Sequence, residues 1–155
     1  MRRFALPRHQ RRGASLVEFA FVVPVFLLLI FGILEYARFF YTVQVMNNAA
    51  REGARYAVVN TNTASTANVQ TYVDNYLSGV GYSQLAGYNS TTNISVYEAD
   101  PTTGANTSLA WQSNGWGTAV GVSVSGTYKP ILPGFLFLPG SVTINASCVM
   151  TTEAN

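Results

Sequence analysis

The sequence predicts an α+β protein: a long N-terminal helix, transmembrane in its first half and type IV pilin-like in outline, followed by a small antiparallel β-sheet with one short extra helix. An uncharged and mostly apolar run occupies residues 19–34, which indicates a long helix in an apolar environment. Further on, Val120, Val122 and Val124 alternate with small residues, and this period of two is typical of a half-buried strand. The helical and strand patterns lie in separate parts of the chain, as in the α+β class.

The N-terminal apolar segment has the length and the flanks of a membrane-spanning helix. Residues 14–34 contain a single charge, Glu18, and about 20 residues of helix cross a hydrocarbon core of roughly 30 Å. Five arginines and no acid lie in residues 1–13, so the positive-inside rule places the N-terminus in the cytoplasm and the body outside it. The apolar stretch is longer than that of a secretory signal, and no small-x-small cleavage site follows it promptly. We therefore expect a single-pass helix that stays in the cytoplasmic membrane.

The helical pattern continues past the apolar segment to about Val59. Pro24 removes one backbone donor, so we expect a bend there. The aromatic residues after Glu35 resemble an interfacial belt at headgroup level, with Glu35 and Arg38 paired at i,i+3. The chain is thereby divided into a basic cytoplasmic leader at residues 1–13, a long helix at 14–59 and an extracytoplasmic α+β domain at 60–155.

A stripe of small residues lies in the outer half of the predicted helix. Ala49, Gly53 and Ala57 recur at every fourth position, a spacing that lets another backbone approach closely. The stripe could pack under the protein's own sheet or against a neighbouring subunit. We favour the first, because every such helix needs a buried stripe.

Short elements follow the long helix. Apolar residues at helical spacing between Val69 and Leu77 predict an amphipathic helix that Gly79 ends. Strands are predicted from alternating side chains, at residues 93–97, 118–128 and 141–151. Polar or Gly-rich segments are predicted as loops, at residues 60–66, 81–92 and 100–117.

The segment 129–140 between the last two strands is unusual for a loop. Three prolines exclude a regular strand, yet half of its residues are large and apolar. The segment could fold back over the long helix, or it could contact lipid or a partner. We favour packing, because apolar patches of that size are uncommon on soluble surfaces.

The sequence offers no catalytic or metal-ligating arrangement, and we expect neither an enzyme nor a cofactor. His9 is the only histidine and Cys148 the only cysteine, which argues against a catalytic triad or a zinc site in the exported part. Glu98 and Asp100 could form a weak calcium site, but two acids in a polar loop are usually solvated. No basic face continues beyond the leader, so nucleic-acid binding is not expected.

The aromatic residues, 13% of the chain, admit two interpretations. Trp111, Trp116 and the many tyrosines could form a sugar-binding surface, or they could pack in the core and against the sheet. We favour packing for both tryptophans.

Three stretches resemble the TadE-like pseudopilins of the tight-adherence (Flp) pilus machinery. Residues 12–20, Arg-Gly-Ala-Ser-Leu-Val-Glu-Phe-Ala, resemble the processing site of type IV prepilins, where a glycine precedes a glutamate at the fifth mature position. Residues 31–38, Phe-Gly-Ile-Leu-Glu-Tyr-Ala-Arg, and 48–57, Asn-Ala-Ala-Arg-Glu-Gly-Ala-Arg-Tyr-Ala, are similar to the helix of that family. The resemblance is strong over residues 11–59, looser over 118–153 and absent between them.

The resemblance implies cleavage by a prepilin peptidase between Gly13 and Ala14 on the cytoplasmic face. The new Ala14 ammonium would lie one helical turn from Glu18, whose buried carboxylate would pair with the N-terminus of the same or a neighbouring subunit. The implied partners are the peptidase, other pilins and pseudopilins (TadF-like proteins and the Flp major pilin), the assembly platform of the bacterial inner membrane, and membrane lipid. The mature chain would be a non-catalytic minor pilin or pseudopilin that acts in pilus assembly.

Two other interpretations remain open from the residues alone. Glu18 could lie at the membrane interface of an uncleaved signal anchor that starts at Phe19 and spans about 24 Å. The chain would then be a bitopic protein whose exterior β-domain binds a ligand or a surface, and it would keep its leader. A general-secretion pseudopilin would share the processing but would not predict the motif at residues 48–57.

Overall fold

The long helix is the first element of the computed structural model, which describes residues 11–80, 84–112, 115–131, 133–134 and 139–152, and only the backbone of residues 11, 12 and 80. Helix α1 runs without interruption from Arg11 to Val59 and continues through Pro24. It is about 73 Å long at 1.5 Å per residue. It ends where the sequence predicts, because the Asn60 side-chain amide donates to the carbonyl oxygen of Tyr56 (2.9 Å) and satisfies a terminal acceptor. The predicted leader up to residue 10, including His9, lies outside the described residues.

Helix α2 (Thr66–Val80) follows a short turn and corresponds to the predicted amphipathic helix. A reciprocal cap begins it. The backbone N–H of Asn68 donates to the Ser65 hydroxyl (3.3 Å), and the backbone N–H of Ser65 donates to Asn68 Oδ1 (3.0 Å). One face of α2 is apolar and fully buried, at Val69, Val73 and Leu77. The two helices therefore pack side by side through the core.

The strands form one antiparallel sheet with the third strand in its middle. Strands β2 (Ile94–Ala99), β3 (Ala119–Tyr128) and β4 (Val142–Thr151) confirm the three predicted strands within a few residues. β3 pairs with β4 along its whole length and with β2 over its first half. The predicted loop at residues 81–92 is wrong in part, because it contains β1 (Leu85–Ala86), which pairs with the end of β3, and the four-residue α3 (Ser90–Asn93).

The outer half of α1, α2 and the inner face of the sheet enclose one hydrophobic core, and we call these elements together, from residue 35 to residue 152, the head. Alternating side chains of β3 are buried, and Ile144 and Ala146 of β4 share their face, as their period of two predicts. The most completely buried large side chains come from all three layers: Met46, Val69, Val73, Leu77, Ile94, Val120, Val122, Val124 and Tyr128. The predicted fold class, a long apolar N-terminal helix with a small antiparallel sheet and short helices, is confirmed.

Only part of the apolar segment 129–140 can be compared with the prediction that it packs. Leu132 and residues 135–138, which carry most of its large apolar side chains, lie outside the described residues. Ile131 is described: its side chain is exposed, while its backbone approaches α1 as detailed below.

Candidate functional site

The apolar half of α1 stands clear of the rest of the described chain. Phe19 and Phe21 are 68% and 76% exposed, and most large apolar side chains between residues 16 and 34 are exposed with them. Within the described ranges this is the one helix long and apolar enough to cross a membrane, and its most apolar stretch has a mean hydropathy of 2.7 with 6% of it buried. A surface of this kind is stable only in lipid or against other apolar helices. The chain thus carries a candidate membrane-spanning helix at its N-terminus.

The predicted processing residues lie on the first turns of this helix. Gly13, Ala14 and Glu18 all belong to α1 and are exposed. Glu18 follows Ala14 by one helical turn, so the two residues share a face. The Glu18 carboxylate makes neither a hydrogen bond nor an ion pair with any residue that the structure describes.

The small-residue stripe lies far from Glu18, in the middle of the head. Ala49 follows Glu18 by 31 residues, roughly 46 Å along the helix axis. Ala49 and Ala57 have no exposed surface. A methyl group built at Gly53 would lie 2.5 Å from Val73 of α2 and 3.1 Å from Val122 of β3. The structure thus places the stripe within the chain's own core, between the sheet and α2.

A buried carboxylate, Glu35, joins α1 to the end of β3 at the boundary between the apolar half and the head. The side chain is 4% exposed. The Tyr128 hydroxyl donates to its Oε1 (2.6 Å), and the backbone N–H of Ile131 lies 3.3 Å from both carboxylate oxygens. The helix is therefore fastened to the last residue of β3 and to the segment that follows it.

Aromatic and cationic groups complete the surroundings of Glu35. The Arg38 guanidinium lies 3.8 Å from the Glu35 Oε1 and 5.4 Å from the centre of the Tyr128 ring. The Phe39 and Tyr128 rings pack edge to face, with their centres 5.4 Å apart. Burial disfavours the phenolate and the hydrogen bond to Glu35 holds the phenol proton, so the pKa of Tyr128 rises to about 12. At neutral pH the hydroxyl is thus a fixed donor to the carboxylate.

Glu35 itself is buried against the chain's own sheet, and its predicted i,i+3 pairing with Arg38 is present. The residue lies on the same helical stripe as Phe39, Thr42 and Met46, which follow it at alternating spacings of four and three. This spacing predicts a shared buried face, and Thr42 and Met46 are indeed buried. The period of the stripe, rather than residue polarity, was the signal that could have identified the site.

Of the other residues considered from the sequence, Asp100 and Trp111 have structural roles and Trp116 has none. The backbone N–H groups of Thr102 and Thr103 donate to Asp100 Oδ1 (2.8 and 2.7 Å), which lowers the pKa of Asp100 and makes it a turn cap. Trp111 is buried, as predicted, and its indole N–H donates to the Thr66 hydroxyl (3.0 Å). Trp116 is 80% exposed, so the prediction that it packs is wrong.

Comparison with known proteins identifies the segment that contains these helix features. A family model described as TadE-like protein matches residues 13–55. No curated protein and no solved structure matches the chain. The matched range begins at the predicted cleavage glycine, includes Glu18 and Glu35, and ends inside the buried stripe. Residues 13–55, within the long helix, thus carry the sequence features of the TadE-like protein family.

Proposed function

We propose that this chain is a non-catalytic, single-pass membrane subunit that acts in the assembly of a tight-adherence (Flp) pilus, as a minor pilin or pseudopilin. The match of residues 13–55 to the TadE-like family suggests pilus assembly in general. The proposal adds the processed N-terminus, the membrane position and the role as a subunit. It makes the prepilin peptidase, other pilins and pseudopilins, and the inner-membrane assembly platform the partners of the chain.

The observation that carries the proposal is the lone carboxylate on an otherwise apolar, exposed helix. A charge within the hydrocarbon region costs about 3 kcal/mol on insertion scales, and pairing with an opposite charge usually offsets this cost. Cleavage before Ala14 would create an ammonium group one turn from Glu18, on the same face of α1. Pairing within the chain, or with the terminus of a neighbouring subunit, would offset the cost of both charges.

Among the residues that the structure describes, the apolar half of α1 is the one large apolar surface open to other subunits. The small-residue stripe is covered by α2 and by the sheet. Contacts between subunits would therefore use the apolar half of α1, together with its charge at Glu18. The Glu35 bonds to Tyr128 and Ile131 would hold the head at a fixed position on this helix while it packs.

The test is the mature N-terminus, measured by mass spectrometry of the protein from cells with and without their prepilin peptidase. We expect a chain that starts at Ala14 in the first strain and retains the leader in the second. An intact leader in both strains would contradict the proposal and would support an uncleaved anchor whose exterior domain binds a ligand or a surface.

A second measurement separates the charge of Glu18 from processing. Glu18→Gln removes the charge and keeps the shape of the side chain, so we expect cleavage at Ala14 to persist while the number of assembled pili falls. Asp74→Asn, which makes the same change from carboxylate to amide on helix α2 of the head, is the matched control and should leave the pili unchanged. Normal pilus numbers in cells with Glu18→Gln would refute the role assigned to this carboxylate.

A further inference from the structure

The distal ends of the two helices form a second feature that pilus assembly does not explain. Tyr56 of α1 and Tyr72 of α2 stack face to face, with ring centres 4.5 Å apart and planes inclined by 11°. We call this pair the tyrosine ridge. It borders two shallow hollows of about 360 and 290 Å³, and both rings line both hollows.

Apart from the ridge, most residues that line each hollow are polar. The larger is lined by Ala67, Asn68, Thr71 and Asn75 of α2. The Asn68 oxygen caps α2, which leaves its amide N–H groups as donors. The Asn75 side chain makes no hydrogen bond with the described residues. An amide with both a donor and an acceptor available is thus present beside an aromatic face.

The smaller hollow adds two charges that cancel. Its lining on α1 consists of Glu52, Arg55, Val59 and the neighbouring Asn60. One acid and one base give no net charge, so the hollow does not select an anion such as a phosphate or a nucleic acid. A ligand for both hollows would be neutral and would carry many hydroxyl or amide groups.

Helical spacing brings these side chains together. On α2, Asn68, Thr71, Tyr72 and Asn75 occupy positions i, i+3, i+4 and i+7, which lie on one face. On α1, Glu52, Arg55, Tyr56 and Val59 repeat the same spacing. The core uses other faces of both helices, with Ala54, Ala57, Val69 and Val73 buried. Tyr72, at 40% exposed, therefore lies outside the packing that holds the head together.

The position of the ridge excludes a lipid ligand. Tyr56 follows Leu34, the end of the apolar run, by 22 residues, which is roughly 33 Å of helix. The ridge therefore lies well beyond the headgroups when the apolar half spans the membrane. Its shallow polar hollows also lack the apolar centre that a stable protein interface carries.

We propose that the tyrosine ridge and its two hollows bind a neutral carbohydrate chain. The exposed ring of Tyr72 offers an apolar face with a polar edge, which suits the C–H face of a sugar ring. The amides of Asn68 and Asn75 donate to and accept from its hydroxyl or acetamido groups. Two hollows of about 360 and 290 Å³ that share one ridge provide room for at least two consecutive sugar rings. This inference does not depend on the role in pilus assembly.

Binding can be measured on the full chain in nanodiscs of phosphatidylethanolamine and phosphatidylglycerol, which avoid sugar-based detergents. The probes are tetra-N-acetylchitotetraose and cellotetraose, which differ in their acetamido groups, titrated by calorimetry and saturation-transfer NMR. We expect saturable binding of at least one probe, weakened about tenfold by Tyr72→Ala and several-fold by Asn75→Ala. Tyr72→Phe, which keeps the ring, should bind within about threefold of the unchanged protein.

Trp116→Ala is the matched control, because it removes an exposed aromatic ring outside both hollows. It should leave binding unchanged. The proposal is overturned if neither probe binds, if Tyr72→Ala binds as well as the unchanged protein, or if Trp116→Ala weakens binding as much as Tyr72→Ala does. The Asn75 side chain is exposed, so a loss in Asn75→Ala with an unchanged melting temperature reports on the hollow itself.

Discussion

Gly53 is the tightest point between α1 and the rest of the head, and we predict that Gly53→Ala destabilises the protein. The added methyl would lie 2.5 Å from Val73 Cγ2 and 3.1 Å from Val122 Cγ1, and both valines are fully buried. Neither side chain has a flexible end that can move away, so overpacking should cost about 2 to 3 kcal/mol. Alanine recovers about 1 kcal/mol through its better helix propensity. The net loss is therefore about 1 to 2 kcal/mol, which lowers the melting temperature by roughly 3 to 8 °C.

The assay is thermal and denaturant unfolding of the full chain in detergent micelles, followed by circular dichroism. Gly79→Ala is the matched control, because it makes the same change in helix α2, where nothing lies within 4 Å of the added methyl. It should be neutral or stabilising by up to about 1 kcal/mol. Combining Gly53→Ala with Val73→Ala should cost less than the sum of the single changes by about 1 kcal/mol or more. A Gly53→Ala protein as stable as the unchanged one would refute the close packing of the helix.

Further predictions concern the buried polar groups and the tryptophans. Tyr128→Phe should lower the free energy of unfolding by about 1.5 to 3 kcal/mol in denaturant titrations, because Glu35 loses a short hydrogen bond. The folded pKa of Tyr128, about 12, lies above its ordinary value of 10.0. The stability that comes from this shift is therefore complete below pH 10 and is lost as the pH rises toward 12. Tyr128→Phe should reduce the fall in the free energy of unfolding between pH 10 and 12. An equally steep fall in both proteins would contradict the assigned pKa. Trp111→Phe should cost about 1 to 3 kcal/mol through the lost indole bond and volume, whereas Trp116→Ala should stay within about 0.5 kcal/mol. Equal effects of the two tryptophan changes would contradict their different burial.

Much of the fold could be predicted because its signals are local. The end of α1, the apolar face of α2 and the alternation along β3 and β4 each depend on side chains within a few positions of one another. The order of the strands could not be predicted, since pairing depends on contacts that are distant in sequence. Strand β1 has only two residues and α3 only four, too short for any periodic signal.

Residues of the candidate site could be predicted from the sequence only where they differ chemically from their neighbours in the chain. Glu18 stands out as the one charge in an apolar run, so the sequence alone identifies it. Glu35 does not, because its partner Tyr128 follows 93 residues later. Gly121 is similar: the ring of Tyr97 on the adjacent strand occupies the space above it, within 2.5 Å of where a Cβ would be. Nothing in the alternation of β3 predicts which neighbouring side chain fills that space.

The packing of α1 into the head also determines how the protein can be cut. Met46, Ala49 and Ala54 supply the middle of the core, so the sheet and α2 have no complete hydrophobic interior without this stretch of helix. A protease that cut α1 before Glu35 would keep the whole head together, whereas one that removed residues 46–57 would take away the middle of its core and unfold it. The same dependence sets the order of folding during synthesis, because α2 and the strands follow α1 in the chain and complete their core only by packing onto its second half.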